Sequence, residues 1–274
     1  DAINGTVGDP RSFDRLHALL ELQAFRLASW KTASDEINYR RFFDINELAG
    51  LRVERSEVFD AIHSLLFTLI GTGLVTGVRL DHIDGLFDPA AYLSQLSAAM
   101  RMAIDGHRPV QSDADATVGA DVSRVADPAV PYVVVEKILS DGELLRADWA
   151  VDGTTGYTFL NDVNGVFIDA RSARKLRRTY ARFTTHEEAF ADVAYEGKRL
   201  IIGTALSSEF QVLAQAFNRL SERDRRFRDF TLGSIGRALR EVVACFPAYR
   251  SYVTPSGTTA DDAVGVDAAI ADAR

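Results

Sequence analysis

The chain has 274 residues, a formal net charge of −8, 47% hydrophobic residues and 26% charged residues. That is enough chain for one large domain or two modest ones, with the composition of an ordinary globular protein. The acidic balance argues against nucleic-acid binding and suits a neutral or cationic ligand. Cys245 is the single cysteine, which excludes an intrachain disulfide framework, and its apolar surroundings predict a buried, unreactive thiol. No apolar run approaches the roughly 18 residues of a membrane-spanning helix. No signal-peptide pattern opens the sequence, so a reducing cytoplasm is the expected compartment. The first residue is Asp1 rather than methionine, and the chain reads as a processed product or a segment of something longer.

Residues 1 to 11 are loop-like, punctuated by Gly5, Gly8 and Pro10. Ser12 or Asp14 can cap a helix predicted to run to about Ala33, with Phe13, Leu16, Leu20 and Leu27 as its stripe. Residues 36 to 54 then gather Tyr39, Phe42 and Phe43 around Arg40 and Arg41. Aromatic faces and guanidinium forks suit sugar rings and their hydroxyls; an aromatic cluster packing a loop onto the core has the same composition. Ser56 caps a helix predicted over Glu57 to Ile70, on which His63 reads as structural. A further helix is expected from Pro89 to about Ile104. Residues 105 to 130, rich in Asp, Ala, Ser and Pro without apolar period, read as a mobile insertion. From about residue 172 the pattern is helical, with a stripe of Leu206, Phe210, Leu213, Phe217 and Leu220, a helix over 231–245, a short strand over 246–253 and an alanine-rich final helix.

Two stretches carry the chemistry. In the apolar, β-rich run ending GVRLDHIDG, the strand period of two puts Gly77, Arg79 and Asp81 on one face. A guanidinium two residues from a carboxylate favours its ionised form, and an ionised carboxylate at a strand end can act as a nucleophile; a surface strand with a local ion pair reads the same way. The second stretch, PYVVVEK, is a short apolar strand ending in Glu136, 55 residues after Asp81, with a helical pattern between. Strand, helix, strand predicts parallel neighbours with both acids at the same edge. Such a pair at a C-terminal rim is a candidate nucleophile and acid/base couple. Further on, Trp149 and the turn Gly153, Thr154, Thr155, Gly156 and Tyr157 make either a carbohydrate-contacting loop or a glycine turn with packed aromatics.

GVRLDHIDG followed by VVVEK resembles the paired strand motifs of the α-amylase family of glycoside hydrolases. Together with QAFRLASWKTASDEINYRRFFDINELAGLRVE, DWAVDGTTGYTFLN and FPAYRSYV, the pattern resembles its trehalose-forming branch, the maltooligosyl trehalose synthases, across residues 23 to 253. The resemblance implies an α/β fold: the middle strands of a (β/α)8 TIM barrel with a large, mostly helical inserted subdomain. It implies a partial catalytic barrel over residues 1–170 and a helical subdomain over 171–274. By family position Asp81 is the nucleophile with Arg79 as its charge partner, Glu136 the general acid/base, and His82 a sugar contact at the cleavage point. Common amylases carry Lys and His three and four places after the nucleophile; here these are Asp84 and Gly85, a departure shared with the trehalose-forming branch. Asp84 itself, with Tyr39, Arg40, Arg41, Phe42, Lys137, Trp149, Thr154, Thr155, Tyr157 and Lys198, completes the expected substrate-binding set.

The implied reaction is an intramolecular transglucosylation that turns the reducing-end α-1,4 linkage of a maltooligosaccharide into an α-1,1 linkage, with no cofactor or metal. The family's earlier motif ending in Asn-His is absent, and no His-Asp dipeptide, which would mark the third catalytic carboxylate, occurs. The expectation is therefore an internal segment, inactive alone, whose partners are its oligosaccharide and the rest of a longer polypeptide. Another α-amylase-type hydrolase or glucanotransferase, and a noncatalytic sugar-binding or helical domain, are the alternatives.

Overall fold

The computed structural model describes residues 3–107, 131–140, 142–254 and 257–274. The insertion expected over 105–130 falls mostly outside these; Asp105, Gly106 and His107 extend the preceding helix. The chain forms two compact units, one of residues 1–50 and 196–240, the other of 51–195 and 241–274. The division thus follows contacts between distant segments.

In the first unit, helix α1 (Asp14–Glu21) is much shorter than expected, and Trp30–Ser34 is a separate 3-10 turn. Leu27, the continuation of the stripe, is mostly exposed, as is Phe25 beside it, so no buried face holds a longer helix together. The aromatic and arginine stretch is a hairpin, β1 (Arg41–Phe42) antiparallel to β2 (Ile45–Ala49), turned by Phe43 in the left-handed region at φ 51°.

The second unit is built on a three-stranded sheet. Helix α2 (Ser56–Gly71) leads into β3 (Gly77–Leu80), helix α3 (Pro89–His107) returns, and β4 (Tyr132–Val135) follows. Strand β5 (Gly153–Thr154), read from sequence only as a turn, pairs with β4, and helix α4 (Tyr157–Val166) follows it. The order is β3-β4-β5 and all pairs are parallel, as strand–helix–strand order predicted for β3 and β4. Val133 and Val135 face a core of Phe59, Ile70, Leu96 and Met100 from α2 and α3, joined by Ile83, Leu93 and Trp149. His63 sits in that core, with its ring nitrogens bonded to the Phe59 carbonyl and the Tyr92 hydroxyl, a structural role. Burial pushes the Tyr92 phenol up to about 12, so it remains a neutral partner.

Helices α5 (Ala173–Thr184), α6 (Phe190–Gly203), α7 (Ser207–Arg223), α8 (Leu232–Ala244) and α9 (Ala260–Asp272) bear out the helical reading of the C-terminal part. On α7 only part of the expected stripe is buried: Phe210 is, but Leu213, Phe217 and Leu220 are exposed. The strand expected at 246–253 is absent; this stretch is irregular, because its polar groups are engaged by side chains, the Tyr252 N–H donating to Asp262 Oδ1 at 2.8 Å. Cys245 is a free thiol, only half-buried. No single helix among the described residues is long and apolar enough to cross a membrane.

Candidate active site

The register of β3 and β4 aligns Gly77 with Tyr132 and Leu80 with Val135. The next residues are Asp81 and Glu136, and the Glu136 N–H donates to the Leu80 carbonyl at 2.8 Å. The two carboxylates therefore leave the C-terminal ends of adjacent parallel strands. Burial alternates from Pro131 to Lys137, with Val133, Val135 and Lys137 buried and Val134 and Glu136 only partly so. Glu136 therefore shares the face of Arg79 and Val134, opposite the helical layer. That face is open among the described residues: Tyr132 on it is 56% exposed. Arg79 reaches Asp81 with an N–O distance of 2.8 Å. Both side chains are about half exposed or more, so the pair orients the carboxylate without contributing much stability.

The turn after β3 is tightly formed. His82 sits in the left-handed region at φ 49°, a conformation that costs a non-glycine residue energy and persists where surrounding contacts impose it. The Gly85 N–H closes the turn on the His82 carbonyl at 2.9 Å. The His82 ring then lies over Gly85, where a Cβ would come within 2.2 Å of the ring. The departure at position 85 thus has a local consequence: a side chain there would displace this histidine ring. Tyr249 meets the His82 ring edge-on, centroids 6.3 Å apart, and Ile83 is fully buried.

Asp84 points inward rather than to solvent. One oxygen lies 3.4 Å from Lys137 Nζ and the other accepts from the Tyr252 hydroxyl. Lys137, 2% exposed, also pairs with Glu143 at 2.7 Å. Burial, the hydrogen bond to Asp84 and the nearby carboxylates hold the Tyr252 phenol far above its usual range, so it stays a donor. Around its ring stand the guanidiniums of Arg250 at 4.9 Å and Arg146 at 5.2 Å, with Trp149 perpendicular at 5.4 Å. The polar atoms of Lys137 and Asp84 and the face of Trp149, expected to meet sugar, are thus committed to the protein's own packing.

The other expected positions divide between the units. Thr154 lies in β5, the Thr155 N–H donates to the Val135 carbonyl at 3.0 Å, and the Thr155 hydroxyl is buried without a partner among the described residues. Tyr157 opens α4, partly exposed. Tyr39, Arg40, Arg41, Phe42 and Lys198 belong to the first unit. Arg41 is buried there with its fork filled: Glu209 at 2.8 and 3.1 Å, the Asn46 side chain, and the Asp44 and Ala205 carbonyls. Arg40 is exposed, the Tyr39 hydroxyl donates to the Asn46 carbonyl, and Lys198 is an exposed residue of α6. Sequence reasoning gave Glu143, Tyr249, Arg250 and Tyr252 no role. The signal was available in FPAYRSYV, where two tyrosines and an arginine crowd a stretch read as a plain strand.

No family model matches the chain. A Mycobacterium tuberculosis protein named maltooligosyl trehalose synthase is 37% identical over 159 residues, which is 58% of this chain and 17% of that protein. The solved maltooligosyltrehalose synthase of Arthrobacter ramosus superposes with a TM-score of 0.71 at 29% identity, over 98% of this chain and 29% of its own. A hypothetical maltooligosyl trehalose synthase of Sulfolobus tokodaii gives 0.67 at 28% identity, over 95% of this chain and 29% of its own. The chain thus spans about a sixth of its curated relative and under a third of these solved neighbours. In sequence and in fold, it is similar to part of the maltooligosyl trehalose synthases.

Proposed function

We propose that this chain is the segment of a longer, cytoplasmic maltooligosyl trehalose synthase that carries its nucleophile and its acid/base. In this reading β3 and β4 are the fourth and fifth strands of a (β/α)8 barrel, β5 stands beside them, and the helices beyond residue 171 belong to an inserted subdomain. The observation that carries the reading is the placement of Asp81 and Glu136 at the ends of paired parallel strands, on the face away from α2 and α3, in a chain similar to those enzymes. At the C-terminal rim of a barrel, such carboxylates meet the substrate.

Asp81 attacks the anomeric carbon of the penultimate glucose while Glu136 protonates the departing glycosidic oxygen, leaving a glycosyl-enzyme and a free glucose. That glucose stays bound and turns. Glu136, now a carboxylate, removes the proton of its anomeric hydroxyl, and the oxygen displaces Asp81 to form the α-1,1 linkage. Arg79 keeps Asp81 aimed; His82, at the head of the turn, contacts the sugar at the cleavage point. Thr154, Thr155 and Tyr157, which follow the acid/base strand in the same unit, line the side that retains glucose.

The test is the full-length polypeptide containing this chain, given maltopentaose. Nonreducing trehalosyl product is expected, with a loss of roughly a thousand-fold or more in Asp81→Asn and in Glu136→Gln, or about 4 kcal/mol of transition-state stabilisation. Either variant keeping near wild-type turnover would remove the assignment, and free reducing sugar as the main product would favour a hydrolase. The isolated 274-residue chain is expected to be inactive.

A further inference from the structure

We infer that Tyr249, Arg250 and Tyr252 form a brace that fixes the turn behind the nucleophile, and that Asp84 and Lys137 tie the same brace to the acid/base strand. This inference rests on the catalytic reading of Asp81 and Glu136. Three of the four residues from Tyr249 to Tyr252 touch the turn. Tyr249 meets the His82 ring. One Arg250 guanidinium nitrogen donates to the carbonyls of Asp84 at 2.8 Å and Leu86 at 2.7 Å. The Tyr252 hydroxyl donates to the Asp84 side chain.

Lys137 completes the link. It follows Glu136 directly, its side chain is 1% exposed on the opposite side of the strand, and its ammonium lies between Asp84 and Glu143. A side chain three residues past one carboxylate is therefore held by a side chain one residue past the other. The brace is itself anchored, since Asp262 accepts the Tyr252 N–H and caps helix α9 through Thr259. These are positioning residues: their polar atoms are used within the protein, and they act through Asp81, His82 and Glu136. Holding reacting groups to within a fraction of an ångström is worth large factors in rate, and a misplacement of about 1 Å can cost roughly a hundred-fold. In a reaction that must recapture its own leaving group, a loosened turn should also let water compete.

The experiment compares Tyr252→Phe, which removes one hydroxyl and keeps the ring, with Arg250→Lys, which cannot serve both carbonyls, in the full-length polypeptide. Three quantities are read on maltopentaose: kcat, KM, and the ratio of released glucose to trehalosyl product. The expected result is a fall in kcat of roughly ten-fold or more, KM within about two-fold, and a ratio shifted toward free glucose in both variants. The product ratio does not depend on how much enzyme is folded, so a merely structural role leaves it unmoved. A wild-type ratio with kcat lowered only in proportion to the folded fraction overturns the brace, as does unchanged kcat in a folded variant. Should one variant fail to fold, the other is read by the same criteria. Asp81→Asn is run in parallel: if it retains activity, the catalytic reading itself fails, whereas an inactive Asp81→Asn beside unaffected brace variants removes the brace alone.

Discussion

Replacing Lys137 by methionine keeps the volume of the stem and removes the charge, and the surroundings of that charge set the consequence. Its ammonium is 2.7 Å from Glu143 and 3.4 Å from Asp84, with the side chain 1% exposed and those of the partners 20% and 11% exposed. Removing one member of a buried ionic group costs about 3–5 kcal/mol, because the remaining charges lose their compensation. Here Asp84 keeps its Tyr252 hydroxyl, and Glu143 is exposed enough to turn toward water, so about 3 kcal/mol is expected. Urea unfolding and a thermal scan of the full-length polypeptide measure it. The double variant Lys137→Met with Glu143→Gln should recover part of the loss, because it removes a carboxylate left without its cation. A Lys137→Met protein within about 0.5 kcal/mol of wild type would refute the reasoning, since its ammonium would then be worth no more than a surface charge.

Two further outcomes follow from other sites. Burial alone would raise the Glu209 carboxyl, but hydrogen bonds from Arg41, the backbone and Ser208 outweigh it and hold the group below its usual value of 4.5. A depressed carboxylate stabilises the fold above its unfolded pKa and loses that contribution as pH falls through the folded one. The stability advantage of wild type over Glu209→Gln should accordingly be full at pH 7 and shrink below about pH 4.5, measured by urea midpoints across pH; an advantage that persisted at pH 3 would contradict the pairing. Gly85→Ala puts a methyl within 2.2 Å of the His82 ring, so the ring must move. A destabilisation of about 1–3 kcal/mol and a loss of turnover are expected by melting and by product assay, and a variant indistinguishable from wild type would mean that the turn is not held as described.

Much of the second unit could be read directly. Helix α2 follows the expected apolar face but starts at Ser56 itself, with Arg55 rather than Ser56 at its cap and no side-chain cap bond, and Val133 and Val135 alternate with Val134 because a half-buried strand demands it. The parallel pairing of β3 and β4 followed from the helix between them. What failed were stretches whose partners are distant. The first helix stops at Glu21 because its apolar residues beyond that point stay exposed. Residues 246–253 have strand-like composition, yet their hydrogen bonds go to Asp84, Leu86 and Asp262, none of which a local window contains. Strand β5, two residues long, carries no periodic signal at all.

The sequence by itself determined which carboxylates lie at strand ends, that Arg79 stands beside Asp81, and that the two strands run parallel, because strand period and connection length are local properties of the chain. Only the tertiary structure decided the fate of the neighbouring polar and aromatic residues. Lys137, Asp84, Trp149 and Arg41 look in the sequence like sugar-binding groups. In the fold Lys137 is closed between Asp84 and Glu143, Trp149 stands against Tyr252, and Arg41 is filled by Glu209, Asn46 and two carbonyls. The physical reason is desolvation: a buried charge or donor must find a partner inside the protein, and that partner comes from whichever distant segment folding brings alongside.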